Sequence, residues 1–214
     1  MKVFGSSYSF SIVLVVGIAA LLVLHSFAAG IATVDHSEQQ DEYIVESKQG
    51  RVFWRADAHR GVIPLCEGKL VFFEKKLVDA RFRVCMDSLR NTDIDYELMR
   101  VVFENTMKSK EIFHTSRFPF SNFTLCCAEQ LGNDSLLIAG DLEIKEINNC
   151  IRFKTYLSRS GDSLIINSDT IYIDRTNWGI FAMSKTYGAG EESYIVSDTI
   201  QFQIRLSGIR SKKE

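Results

Sequence analysis

Lys76-Leu77-Val78-Asp79-Ala80-Arg81-Phe82-Arg83-Val84-Cys85-Met86-Asp87-Ser88 decides the fold class. Ala80, Phe82, Val84 and Met86 fall on one side of this stretch, and Asp79, Arg81, Arg83 and Asp87 on the other. Successive side chains of a strand point to opposite faces, so the pattern is that of a strand with one dry and one wet face. The same rule recurs downstream. Ile138, Gly140, Leu142 and Ile144 oppose Asp141, Glu143 and Lys145. Ile151, Phe153, Thr155 and Leu157 oppose Arg152 and Lys154, and Ile200, Phe202, Ile204 and Leu206 oppose Thr199, Gln201, Gln203 and Arg205. Gly132-Asn133-Asp134, Asn148-Asn149 and Ser160-Gly161-Asp162 supply turns between the runs. Evenly spaced strands of this kind predict an all-β, antiparallel barrel or sandwich.

Residues 95–110 break the alternation. Met99, Phe103 and Met107 recur every fourth residue, with Leu98 and Val102 beside them, which is a helical stripe. Asn91-Thr92-Asp93 offers capping side chains ahead of it. One or two short helices inserted between strands are therefore expected, lying across one mouth of the barrel.

Upstream, Lys2 precedes an apolar run from Ile12 to Leu24, and no charged side chain follows until Asp35. A basic start, an apolar run and then the small residues of Ser26-Phe27-Ala28 read as a secretory signal over residues 1–29. An uncleaved anchor over residues 10–32 is the rival reading, since the apolar stretch then exceeds the roughly 20 residues of a membrane helix. Under either reading the domain is exported, periplasmic or otherwise extracytoplasmic, and under the second it touches the membrane through this segment. Residues 30–42 read as a polar tether, 43–207 as the barrel domain and 208–214 as a polar tail.

The 214-residue chain carries 25 Lys and Arg against 27 Asp and Glu, a net charge of −2, so there is no basic excess for tracking phosphates and no nucleic-acid partner is expected. Five cysteines, Cys66, Cys85, Cys126, Cys127 and Cys150, leave at least one unpaired. They read as small buried apolar residues, as one disulfide plus free thiols, or as metal ligands; without a Cys-x-x-Cys no metal site is expected. Cys126 and Cys127, as strand neighbours, would point to opposite faces. No catalytic motif is present. Asp57 and His59 would share a strand face and form the sole candidate acid–base pair, with a solvated loop edge as the plainer reading. No catalytic residue and no cofactor is assigned.

Several phrases together resemble the YceI family of lipocalin-like barrels that bind polyisoprenoid lipids. Thr170-Ile171-Tyr172-Ile173-Asp174-Arg175-Thr176-Asn177-Trp178-Gly179-Ile180 is similar to the family's strand running into IDRT-x-WGI. Ile138-Ala139-Gly140-Asp141-Leu142-Glu143-Ile144-Lys145 resembles its VTGDLTIKG, and Phe118-Pro119-Phe120 falls where the family has its Tyr-Pro. The resemblance implies an eight-stranded lipocalin-like barrel with an isoprenoid or other long-chain lipid as partner. Joined to the dry faces read above, it places Phe82, Val84, Phe123, Leu142, Phe153 and Phe202 in a lipid cavity. Leu98, Val102, Phe103 and Met107 would form a lid, with Phe113 beside them. Trp178 is expected to pack inside a fixed corner whose Asp174 accepts backbone N–H groups. Arg175 in that corner is read as structural or as a contact to a lipid's phosphate head group. A barrel filled by its own side chains, serving structure or interaction, is the alternative function. Oligomeric state is not encoded in any of these features.

Overall fold

A computed structural model describes residues 40–47, 49–188 and 195–212. The signal or anchor segment and most of the tether lie outside the described residues. The elements run β1 (Gln40–Glu46), β2 (Gly50–Ala56), β3 (His59–Phe73), β4 (Lys76–Cys85), β5 (Arg90–Asn91), α1 (Glu97–Lys108), β6 (Phe120–Gly132), β7 (Ser135–Ile144), β8 (Ile147–Ser160), β9 (Ser163–Ser168), β10 (Ile171–Asp174) and β11 (Thr199–Arg210).

The strands are antiparallel and close on themselves. β2 pairs with β3, and the ring continues through β4, β6, β7, β8, β9 and β11 back to β2. That is a ring of eight strands, the lipocalin-like barrel architecture expected. The short strands share positions in it. β1 takes over from β2 along β3, pairing Val45 with Gly68 and Gln40 with Phe73, and β10 takes over from β9 along β11. β5 pairs with β3 at Gly61 and Val62, beyond the end of β4.

Where the sequence alternates strictly, its dry face turns inward. Ala80, Ile138, Leu157 and Leu206 belong to one buried cluster, and Ile144, Ile171, Ile200 and Trp178 to a second at the end where α1 packs. Three strands change face midway. β4 turns Leu77 inward, then Ala80 and Phe82, because Val78 stands as an extra residue opposite the step from Val71 to Phe72. β3 turns Ile63 and Leu65 inward, then Leu70 and Phe72, because an irregularity between Leu65 and Glu67 inserts one residue, Cys66. β6 turns Phe123 and Leu125 inward, then Ala128, across a second irregularity between Leu125 and Cys127. The extra residue there leaves Cys126 and Cys127 both exposed, which corrects the expectation of opposite faces. Cys150 is exposed too, so burial does not account for the cysteines, while Cys66 and Cys85 form a disulfide between β3 and β4.

Three boundaries also differ from expectation. Gln40–Glu42 are strand rather than tether, because they pair with Val71–Phe73. Gly208–Arg210 are strand rather than tail, with Arg210 opposite Tyr43 and ion-paired to Asp41. The helix starts at Glu97, and the side chain of Tyr96 at its cap accepts no backbone N–H. Asn91 does not cap it; its Oδ1 instead accepts the N–H groups of Asp93 and Ile94, at 3.1 and 2.8 Å, in a turn of its own.

Candidate functional site

The inner face of the ring encloses an apolar cavity of about 110 Å³. Phe82 (β4) and Phe123 (β6) line it with their rings stacked, centroids 6.3 Å apart, and Phe153 (β8) continues the row 5.7 Å from Phe123. Val84, Leu142 and Phe202 line it as well, so the six residues singled out from the alternation come together around one lumen. Alternation alone does not separate lining from mere packing; Val52, Leu65 and Ile166, equally part of the wall, belong to strands whose pattern was shorter or interrupted.

The lumen is almost wholly carbon. Its polar side chains are Ser121, Thr155 and Ser168. The Ser168 hydroxyl accepts the Ile204 N–H at 2.8 Å, whereas Ser121 Oγ and Thr155 Oγ1 are buried with no partner. Such a wall recognises apolar shape and gives little grip on charge. Its free volume is about what one benzene-sized molecule fills.

At the α1 end a larger cleft of about 680 Å³ lies between the helix, the β2–β3 turn and the residues around Ile180, Met183 and Ile200. Here the lid assignment needs correction. The face of α1 turned to the barrel carries Phe103, Glu104 and Met107. Leu98 is 61% exposed and lines neither cavity; Val102 lines the cleft but is 52% exposed. The helix is rotated relative to the sequence stripe because Glu104 is drawn inward, where its carboxylate accepts the Asn91 N–H at 2.9 Å and lies 3.6 Å from Arg90. Phe103 stacks near Trp54, and Phe113, in the turn after α1, is buried.

The Trp178 corner has the geometry expected of it. Trp178 is buried in a single turn of 3₁₀ helix and its Nε1–H donates to the Leu142 carbonyl at 3.0 Å. Asp174 Oδ1 accepts the Thr176 N–H at 2.9 Å, and Gly179 ends the turn at φ 67°, a left-handed conformation natural to glycine. Arg175 is buried and committed to groups of the protein rather than turned to a head group. Its guanidinium donates to the carbonyls of Ser197, Ile180, Ala182 and Val196 at 2.7–3.2 Å and pairs with Asp198 at 3.3 Å. Burial pushes the guanidinium below its ordinary pKa against the opposing pull of Asp198, Asp174 and Asp57. The residue is a buried clasp, and the head-group reading is withdrawn on that geometry.

Asp57 and His59 do not pair. Asp57 sits in the turn at φ 48° and accepts the Ser197 N–H at 2.8 Å. His59 Nδ1 bonds Asp93 Oδ2 at 2.9 Å, and its ring lies 4.5 Å from Phe103. Burial alone would raise the Asp93 carboxyl; bonds from the Arg60 N–H, His59 and Asn91 outweigh it and hold the group below the usual carboxylate range. No nucleophilic hydroxyl or thiol bonds to this pair among the described residues, so it ties the β2–β3 turn to the Asn91 turn. No group of three His, Cys, Asp or Glu side chains among them is placed to hold a metal ion.

Solved structures share this architecture at low sequence identity. Burkholderia cenocepacia BcnA aligns with a TM-score of 0.62 at 15% identity, covering 76% of this chain and 98% of that one. A polyisoprenoid-binding domain from Saccharophagus degradans, implicated in plant cell wall breakdown, aligns at 0.55 and 13%, covering 79% and 98%. The Campylobacter jejuni YceI protein aligns at 0.51 and 15%, covering 75% and 85%. No curated protein matches the chain in sequence. A family model for the YceI-like domain matches residues 43–207, which takes in nearly all of the eight-stranded ring, and the chain belongs to that family.

Proposed function

We propose that this is an exported lipid-binding protein that holds a long, polyisoprenoid-like chain inside its barrel, as carrier or store. The observation that carries the reading is the lumen wall, carbon almost throughout and closed by a complete ring of strands. Removing apolar surface from water is worth about 25 cal/mol per Å², so such a chain needs no specific polar anchor. The Saccharophagus degradans neighbour, described as polyisoprenoid-binding, supports the ligand class. Export rests on the apolar run from Ile12 to Leu24 behind Lys2. A binding module rather than an enzyme fits a lumen with no titratable group in its wall. Phe103, Met107 and Phe113 keep the role of a cover over the α1 end.

The free volume of about 110 Å³ favours one second reading, a barrel filled by its own side chains with no ligand. Organic extraction of the purified full chain, followed by mass spectrometry, separates the two. A long-chain lipid recovered in near-stoichiometric amount is expected; an empty organic phase from protein that also takes up no added polyprenol overturns the lipid reading.

A further inference from the structure

The inward faces of two strands run on from the lumen into the cleft at the α1 end. On β11, Leu206, Ile204 and Phe202 line the lumen, and the next residue of that face, Ile200, lines the cleft. On β2, Val52 lines the lumen, Trp54 is buried behind it and Ala56 lines the cleft. Residues two apart on a strand share a face, so the cleft continues the lumen along the barrel. Among the described residues Phe113 alone lines both. It belongs to the turn after α1, where its N–H donates to the Met107 carbonyl at 3.2 Å.

Each polar side chain named on the cleft wall already has at least one partner within the protein. Asp57 accepts from Ser197, Arg175 is tied to four carbonyls, His59 bonds Asp93, and the Thr106 hydroxyl donates to the Val102 carbonyl at 3.0 Å. What the wall offers a ligand is mostly carbon. Met99, Val102 and Ile195 are part of that wall and 39–56% exposed. The cleft, at about 680 Å³, has several times the free volume of the lumen.

We infer that the cleft is a second chain-binding compartment in line with the lumen, and that Phe113 is the partition a long apolar chain displaces to occupy both. The inference rests on the lipid-binding reading and adds where the part of the chain that the lumen does not hold is placed. A short chain fits within one compartment; a long one needs both.

The test uses the full chain with two probes, benzene, which matches the lumen's free volume, and a long-chain polyprenol, measuring affinity and release rate. Thr106→Trp places an indole in the cleft from an exposed position, and Val102→Trp, one helical turn away, repeats the test should the first variant fail to fold. Each is expected to weaken polyprenol binding about tenfold or more while leaving benzene, which the lumen alone can hold, within about twofold. Phe113→Leu is expected to speed polyprenol release several-fold. Wild-type protein that binds polyprenol, with cleft variants that bind it equally well, overturns the second compartment and leaves the lipid reading standing. Unchanged release from Phe113→Leu overturns the partition. Wild-type protein that binds neither probe overturns both this inference and the reading beneath it.

Discussion

Phe123 lies so close over Gly140 that a Cβ on the glycine would come within 2.3 Å of the ring and 2.6 Å of the Thr124 carbonyl. The same relation recurs across directly paired positions, Phe82 over Gly68 and Trp54 over Gly61. A ring resting on bare backbone points along the wall instead of across the lumen. Gly140→Ala should force the Phe123 ring toward Phe82 and Phe153 and cost about 1–3 kcal/mol, as overpacking does. A thermal melt that matches wild type would show that the contact is slack.

Arg175→Ala should be among the more damaging single changes. It strands four carbonyls and the Asp198 carboxylate around a side chain only 6% exposed. Removing one partner of a buried ion pair costs about 3–5 kcal/mol. Arg175→Lys should rescue little, since an ammonium cannot reproduce the planar fork that reaches four acceptors. Denaturant melts of both variants check this, and a lysine variant close to wild type would refute the clasp.

Trp178→Ala should destabilise by about 3–5 kcal/mol, through the lost indole volume and the unpaired Leu142 carbonyl. A variant of unchanged stability would mean the corner repacks without it.

Acid should loosen the tie between the β2–β3 turn and the Asn91 turn. The folded Asp93 carboxyl is held below its unfolded value, so its contribution is present above the ordinary carboxylate range and is lost as pH falls through the depressed value. The stability difference between wild type and Asp93→Asn should therefore be level at neutral pH and shrink on acidification. Melts across an acid series measure it, and a difference that grows toward acid would contradict the assignment.

Thr155→Val replaces a buried hydroxyl without a partner by a methyl group of the same shape. Stability should stay level or rise by about 1 kcal/mol. If stability instead falls by that much, the hydroxyl has a partner, and chain retention in the same variant shows whether that partner is the bound lipid.

The strands legible in the sequence were those that keep one register over a long run, as β4 does from Ala80 onward. β4, β7, β8 and β11 each hold a single inward parity over most of their length, and periodicity reads them directly. β3 and β6 do not, because the extra residue at Cys66 and at Cys126 moves the apolar series from odd to even positions. No local signal marks such an insertion, and the two cysteines that mark it looked like packing residues. The helix was legible as a helix, but its orientation was set by Glu104, an acid whose burial depends on an Asn91 N–H far enough away in sequence that no stripe could include it. The same holds for His59, whose partner Asp93 is brought near by the return of β3, while the nearer Asp57 is spent on Ser197. The Trp178 corner was readable because its turn chemistry is contiguous.

The takeover of β2 by β1 along β3 bears on where this domain can be cut. A chain trimmed to residues 43–207 would lose Gln40, Asp41 and Glu42 from beside Phe73, Phe72 and Val71, and would lose Gly208 and Ile209 from beside Leu164 and Ser163. Each loss opens a stretch of apolar strand with free N–H and C=O groups at its side. Such stretches are templates for another chain, so the trimmed domain should self-associate more readily than the longer one.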